Sequence, residues 1–98
     1  MPVDKLLLNH WQSLDSLVVL KVLATYAKED QSYVARRNSR SSRWHLQVDG
    51  KEFEILCTGP KFWDMRANAG GGGAVDLVMH LFGVDFKRAS EILTTRHL

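Results

Sequence analysis

One cysteine, Cys57, is all that this sequence of 98 residues contains. An internal disulfide is therefore excluded, and a chain this small must be held together by packing, a metal or a partner. A zinc site of the usual cysteine-rich kind is excluded as well, since four histidines and one cysteine cannot supply its thiolates. Long apolar runs are also missing. The richest stretch, SLVVLKVLATYA from Ser16 to Ala27, is interrupted by Lys21 and falls short of the roughly 20 residues that span a bilayer. No basic segment leads into a continuous apolar run and a small-residue cleavage site, so no secretory signal is read and a cytoplasmic location is expected. Neither internal repeats nor a long linker is found.

What is present fits one small domain over residues 1–98. The apolar share is 45% and the charged share 24%, ordinary values for a chain that buries a core. The net charge of +2 is unevenly distributed. Residues 1–32 carry three lysines against four acids, residues 33–66 seven basic residues against four acids, and the remainder three of each. Within the basic middle, Arg36, Arg37, Arg40 and Arg43 fall in eight residues without an acid. Such a cluster calls for an anionic counterpart or bulk water.

Apolar spacing predicts the elements. The opening VDKLLLNHWQ can form a short helix capped by Asp4, with Leu7, Leu8 and Trp11 on one side. Leu17, Leu20, Ala24 and Ala27 recur at helical spacing and predict a helix over 14–28. The arginine- and serine-rich segment reads as a loop. RWHLQV and KEFEILC then alternate apolar with polar residues around Asp49-Gly50, a strong hairpin signal because tight primed turns need positive φ. Thr58-Gly59-Pro60 turns the chain into a third strand, KFWDMR, giving a sheet over 43–66. A helical pair over 74–94 closes the chain, with Gly83 ending one helix and Asp85 capping the next; Phe86, Ala89, Ile92 and Leu93 are expected on its buried side.

The run Gly70–Gly73 suggests a phosphate loop, since backbone N–H groups before a helix attract anions. That loop needs a Gly-Lys-Ser/Thr ending, whereas here AVD follows and Asp76 would repel phosphate. The glycines read instead as a turn with positive φ that lets helix and sheet pack closely. Asp76 and His80 are four apart and can touch as a surface pair. Cys57 and His45 fall on neighbouring strands; two ligands do not make a zinc site, and Cys57 reads as a small buried apolar group. The arginine cluster, with Lys61 and Arg66 bracketing Phe62 and Trp63, combines phosphate-binding cations with stacking aromatics, as single-stranded nucleic acid requires.

The segment KFWDMRANAGGGGAVDLVMHLFGVDFKRASEIL resembles the end of the zinc-ribbon domain of bacterial DNA primases. It resembles still more the metal-free versions at the N-terminus of Toprim-containing primase-like proteins of plasmids and mobile elements. The resemblance covers about residues 60–94 and is carried before that by the order of elements. Aligned on Gly71-Gly72 and VDLVM, the family's aromatic residue falls at Trp63 and its second pair of metal ligands at Met65 and Asn68. Gly73 stands where the primase pattern has an acid. The first ligand pair would fall at Val34 and Arg37, and Arg40 at a position usually occupied by lysine. With no ligand at those four positions, the resemblance implies the ribbon fold without metal or cofactor.

The expected architecture is α+β: a small three-stranded antiparallel sheet, zinc-ribbon-like but without zinc, flanked by an N-terminal helix and two C-terminal helices. The resemblance implies a non-catalytic DNA-binding domain, for single strands in preference to duplex, belonging to a primase-like or mobile-element replication protein. The Toprim glutamate and paired aspartates have no counterpart here. Expected nucleic-acid contacts are Arg36, Arg37, Arg40, Arg43, Lys61 and Arg66 on phosphates, with Trp63 first and Trp44 second on bases. The alternative is a protein-interaction module that docks a primase, helicase or relaxase partner through the last two helices.

Overall fold

A computed structural model describes residues 4–34 and 40–98. Its elements run α1 Lys5–Ser13, α2 Ser16–Leu23, β1 Tyr26–Glu29, β2 Ser41–Val48, β3 Lys51–Thr58, β4 Lys61–Asp64, β5 Ala69–Gly72, α3 Ala74–Phe82 and α4 Phe86–Thr95. The five strands form one antiparallel sheet in the order β1-β2-β3-β4-β5. The class is α+β as expected, but the three-stranded sheet with three flanking helices is corrected, among the described residues, to five strands and four helices. Among the described residues no helix is long and apolar enough to cross a membrane.

Both extra strands come from segments whose local sequence pointed elsewhere. The helix expected over 14–28 stops at Leu23: Ala24 turns extended, and Thr25 N–H bonds to Gln47 C=O at 2.8 Å. β1 follows by pairing Tyr26 with Gln47 and Lys28 with His45. The edge of β2 would otherwise be left unpaired, and satisfying its ladder outweighs the modest helix propensity of this segment. At the other edge the glycine run is a strand rather than a turn. Gly70, Gly71 and Gly72 pair with Trp63, Phe62 and Lys61, and in the run only Gly73 has positive φ, at 92°. A Cβ at Gly73 would collide with the Gln12 side chain, so glycine there lets α1 pass close by the start of α3.

Where signals were local, expectation and structure agree. Asp49 and Gly50 have φ of 50° and 80° and join Val48 to Lys51 by a two-residue turn. Asp4 accepts the Leu6 N–H at 2.7 Å, Asp85 accepts the Arg88 N–H at 2.9 Å, and Gly83 ends α3 in the left-handed region. Asp15 occupies the N-cap position of α2 but makes no side-chain cap bond. Ser16 ties that helix to the β3–β4 turn instead, its hydroxyl donating to Gly59 and Lys61 carbonyls at 2.9 and 3.0 Å.

The helices cover one face of the sheet. Trp44, Leu46 and Val48 of β2, Ile55 and Cys57 of β3 and Phe62 of β4 meet Trp11, Val19, Leu20, Leu77, Val78, Leu81 and Leu93 from the four helices. Cys57 is buried, as expected, and desolvation pushes its thiol up to about 11, partly opposed by a hydrogen bond with Ser16. Phe86 was expected in this core but is 43% exposed; Ser90 takes a buried position on α4 instead.

Candidate nucleic-acid interface

Strand alternation sends every second side chain to the face away from the helices. There lie Tyr26 and Lys28 of β1, Arg43, His45 and Gln47 of β2, Glu52, Glu54 and Leu56 of β3, and Lys61 and Trp63 of β4. Phe62, adjacent to Trp63 in sequence, points the other way and is buried.

Trp63 is 42% exposed, beside Leu56 on one strand and Gly70 on the other. A Cβ on Gly70 would fall 2.7 Å from Trp63 Cε3, so the indole lies over a backbone that only glycine leaves clear. Lys61 lies two residues before it on the same face, about 7 Å along the strand. Arg66 lies in the following turn, and both cations are exposed. Arg40 is exposed at the start of β2 with its guanidinium beside Gly59, at the end of the sheet where β4 begins. Lys61, Trp63 and Arg66 thus fall within six residues and are all exposed, with Lys61 and Trp63 on one face of β4.

The remaining expected contacts fall elsewhere. Trp44 is 8% exposed and belongs to the core; its Nε1 donates to Ser42 Oγ at 2.8 Å, and Lys21 Nζ lies 4.8 Å from its ring centre. It has no face to offer a base, because the β2 alternation that exposes Arg43 turns its neighbour inward. Arg43 reaches the open face, but its Nη2 and Nε lie 2.6 and 2.8 Å from Asp30 Oδ2, and it stacks over Tyr33 at 5.3 Å. Its charge is already compensated. Arg36 and Arg37 lie outside the described residues, as does one of the four positions carried over from the resemblance.

Two acid–histidine groups emerge that sequence spacing did not pair. On the open face, Asp30 Oδ2, His45 Nε2 and Glu54 Oε1 lie within 4.8 Å of one another, among the described residues the one such group with metal-ligand spacing. Arg43 already supplies positive charge there, 3.9 Å from Glu54 as well as bonded to Asp30. Hydrogen bonds from the Ser32 hydroxyl and backbone N–H, then from Arg43, hold Asp30 far below the usual carboxylate range; burial opposes them and His45 adds to them. Cys57 and His45 do not meet, since they project to opposite faces.

On the covered face, His80 pairs with Asp64, not with Asp76: His80 Nε2 lies 2.6 Å from Asp64 Oδ2. Asp76 turns back to the Gly72 N–H at 3.3 Å, placing a carboxylate at the N-terminus of α3 where a phosphate would have to sit. Asp64 Oδ1 accepts the Arg66 and Ala67 N–H groups at 2.9 and 3.0 Å, and its carbonyl accepts the Asn68 N–H at 2.9 Å. Burial pushes the Asp64 carboxyl up, but the donors from Ala67, His80 and Arg66 outweigh it and leave it below its ordinary value. One buried carboxylate thus organises the turn containing Met65 and Asn68. Only the unbroken alternation of KFWD, which puts Asp64 on the face of Phe62, could have disclosed this role in advance. Tyr26 was also missed, having been assigned to a helix; it is 47% exposed and donates to Glu52 at 2.6 Å.

No family model matches the chain, and no solved structure does. Over 44 residues it is 48% identical to a "65 kDa protein" of Zymomonas mobilis subsp. mobilis. That stretch is 45% of this chain and 8% of the length of the curated protein it matches.

Proposed function

We propose that this chain is a non-catalytic DNA-binding unit, related to the metal-free primase zinc ribbon and serving a primase-like or mobile-element replication protein. The observation that carries the reading is Trp63, laid over Gly70 with Lys61 before it and Arg66 after it. A base can stack on the indole while adjacent phosphates meet the cations, an arrangement that tolerates any sequence. Stacking needs an exposed base face, which a duplex hides and a single strand offers. Arg40 extends the cationic path beyond Lys61; Arg43 and Trp44 play structural parts. The buried Asp64, bonded to His80, supports reading that pair as part of the turn.

Titration of a labelled single-stranded oligonucleotide against the protein at increasing salt tests this. With three phosphate contacts, log affinity should fall against log salt with a slope of about −2, from counterion release on a single strand. Trp63→Ala should weaken binding about tenfold, the loss of one stacked base. No binding at low salt, or binding indifferent to both salt and Trp63, would refute the proposal.

A further inference from the structure

On the other side of the molecule a cleft of about 470 Å³ opens between α4, the α3–α4 connection and the β2–β3 turn. Phe82, Val84 and Ile92 line it with apolar surface, Arg88 and Thr95 come from α4, Arg96 from its C-cap, and Asp49 from the β2–β3 turn. It shares no residue with the Lys61–Trp63–Arg66 surface.

We infer that this cleft docks a short protein segment with an apolar centre and an acidic residue on each side. Arg88, Ile92 and Arg96 recur at four-residue spacing and so share one side of α4, with the two arginines about 12 Å apart along its axis. Between them α4 presents Ile92, only 9% exposed, and Thr95, while Phe82 and Val84 supply the rest of the apolar lining. An extended chain covers that span in about four residues, so two carboxylates bracketing an apolar pair match the two guanidiniums and the surface between them. The volume is enough for the side chains of a short segment.

Both arginines can turn to such a partner without stranding a buried charge. Arg88 is exposed and pairs with the exposed Glu91 only at 3.7 Å, and Arg96 is exposed and donates to the Val22 carbonyl at 3.2 Å. Nucleic acid suits the site less well: phosphates would meet the arginines but gain nothing from Val84 and Ile92. Asp49 in the lining disfavours a uniformly acidic segment.

The test uses the chain and a labelled hexapeptide with neutral ends and one acidic residue on each side of a leucine–phenylalanine pair. Binding should weaken about tenfold or more in the double variant Arg88→Ala, Arg96→Ala, and equally when the acids become amides or the apolar pair becomes serine. Trp63→Ala should leave it unchanged, which separates this site from the sheet face. Replacing both arginines by glutamate should transfer the preference to a peptide with lysines in place of its acids, a gain that unfolding cannot mimic. Absence of binding, equal binding by wild type and the double variant, or amide NMR shifts centred on Lys61 and Trp63 would overturn the inference.

Discussion

The two faces of the sheet each hold a carboxylate beside a histidine, and their surroundings give the pairs different work. On the covered face, Asp64 is 3% exposed, and its oxygens meet His80 and two backbone N–H groups within a rim of aromatic rings; Phe62 and Phe53 lie 5.6 and 6.0 Å from the imidazole. On the open face, Asp30 and Glu54 share Arg43 and His45, all partly exposed. Removing one partner from the first leaves buried polar groups unsatisfied, whereas the second can be resolvated. Histidine chemistry alone therefore says little; the dielectric around it and the number of fixed donors decide whether a pair holds structure or merely balances charge.

The sharpest contrast between the faces is in packing. Leu77→Ala, on the fully buried helix side, should cost about 2–5 kcal/mol in urea unfolding, while Leu56→Ala beside Trp63 should cost less than half as much. Equal losses would mean that the open face is covered in solution. Asp64→Ala should cost about 1–3 kcal/mol, through the stranded turn amides and His80. Because the folded pKa of Asp64 is lowered, its contribution is full above the unfolded value near pH 4 and is lost as pH falls through the folded one. Stability of Asp64→Asn followed from pH 6 to pH 2 should therefore decline less steeply than that of wild type.

A smaller pair of changes addresses the glycine strand. Gly70→Ala would drive a Cβ into the Phe62 carbonyl and to 2.7 Å from the Trp63 ring, so about 1–3 kcal/mol of stability and the indole's near-ultraviolet dichroism should be lost. Gly72→Ala meets only Lys61 Cγ at 3.8 Å, without positive φ, and should be neutral or slightly stabilising. Indifference to both would remove Gly70 as the support of Trp63. Least disruptive is Arg43→Gln: the Asp30 pKa followed by NMR should rise toward the ordinary carboxylate value yet stay below it, since the Ser32 donors remain.

Legibility in the sequence followed the range of the interaction. Asp49-Gly50 announced its hairpin, and Gly83 with Asp85 announced the break between the last two helices, because each signal acts within a few residues. Lys61, Trp63 and Arg66 were recognisable as a charged and aromatic set; that Trp63 faces outward while Trp44 faces inward depended on strand register. The pairing of His80 with Asp64 rather than Asp76 joins residues 16 apart and had no local signal.

By itself the sequence determined a disulfide-free α+β chain with a central hairpin, capped C-terminal helices and a basic middle. The tertiary structure decided that Tyr26–Glu29 would be strand, that the glycines would close the far edge of the sheet, and which arginines and aromatics would remain at the surface. The reason is that a strand edge is a demand for hydrogen bonds from anywhere in the chain. β2 and β4 each met that demand with a segment whose own preferences were weak, and the two faces of the sheet acquired their separate chemistry only once all five strands were in register.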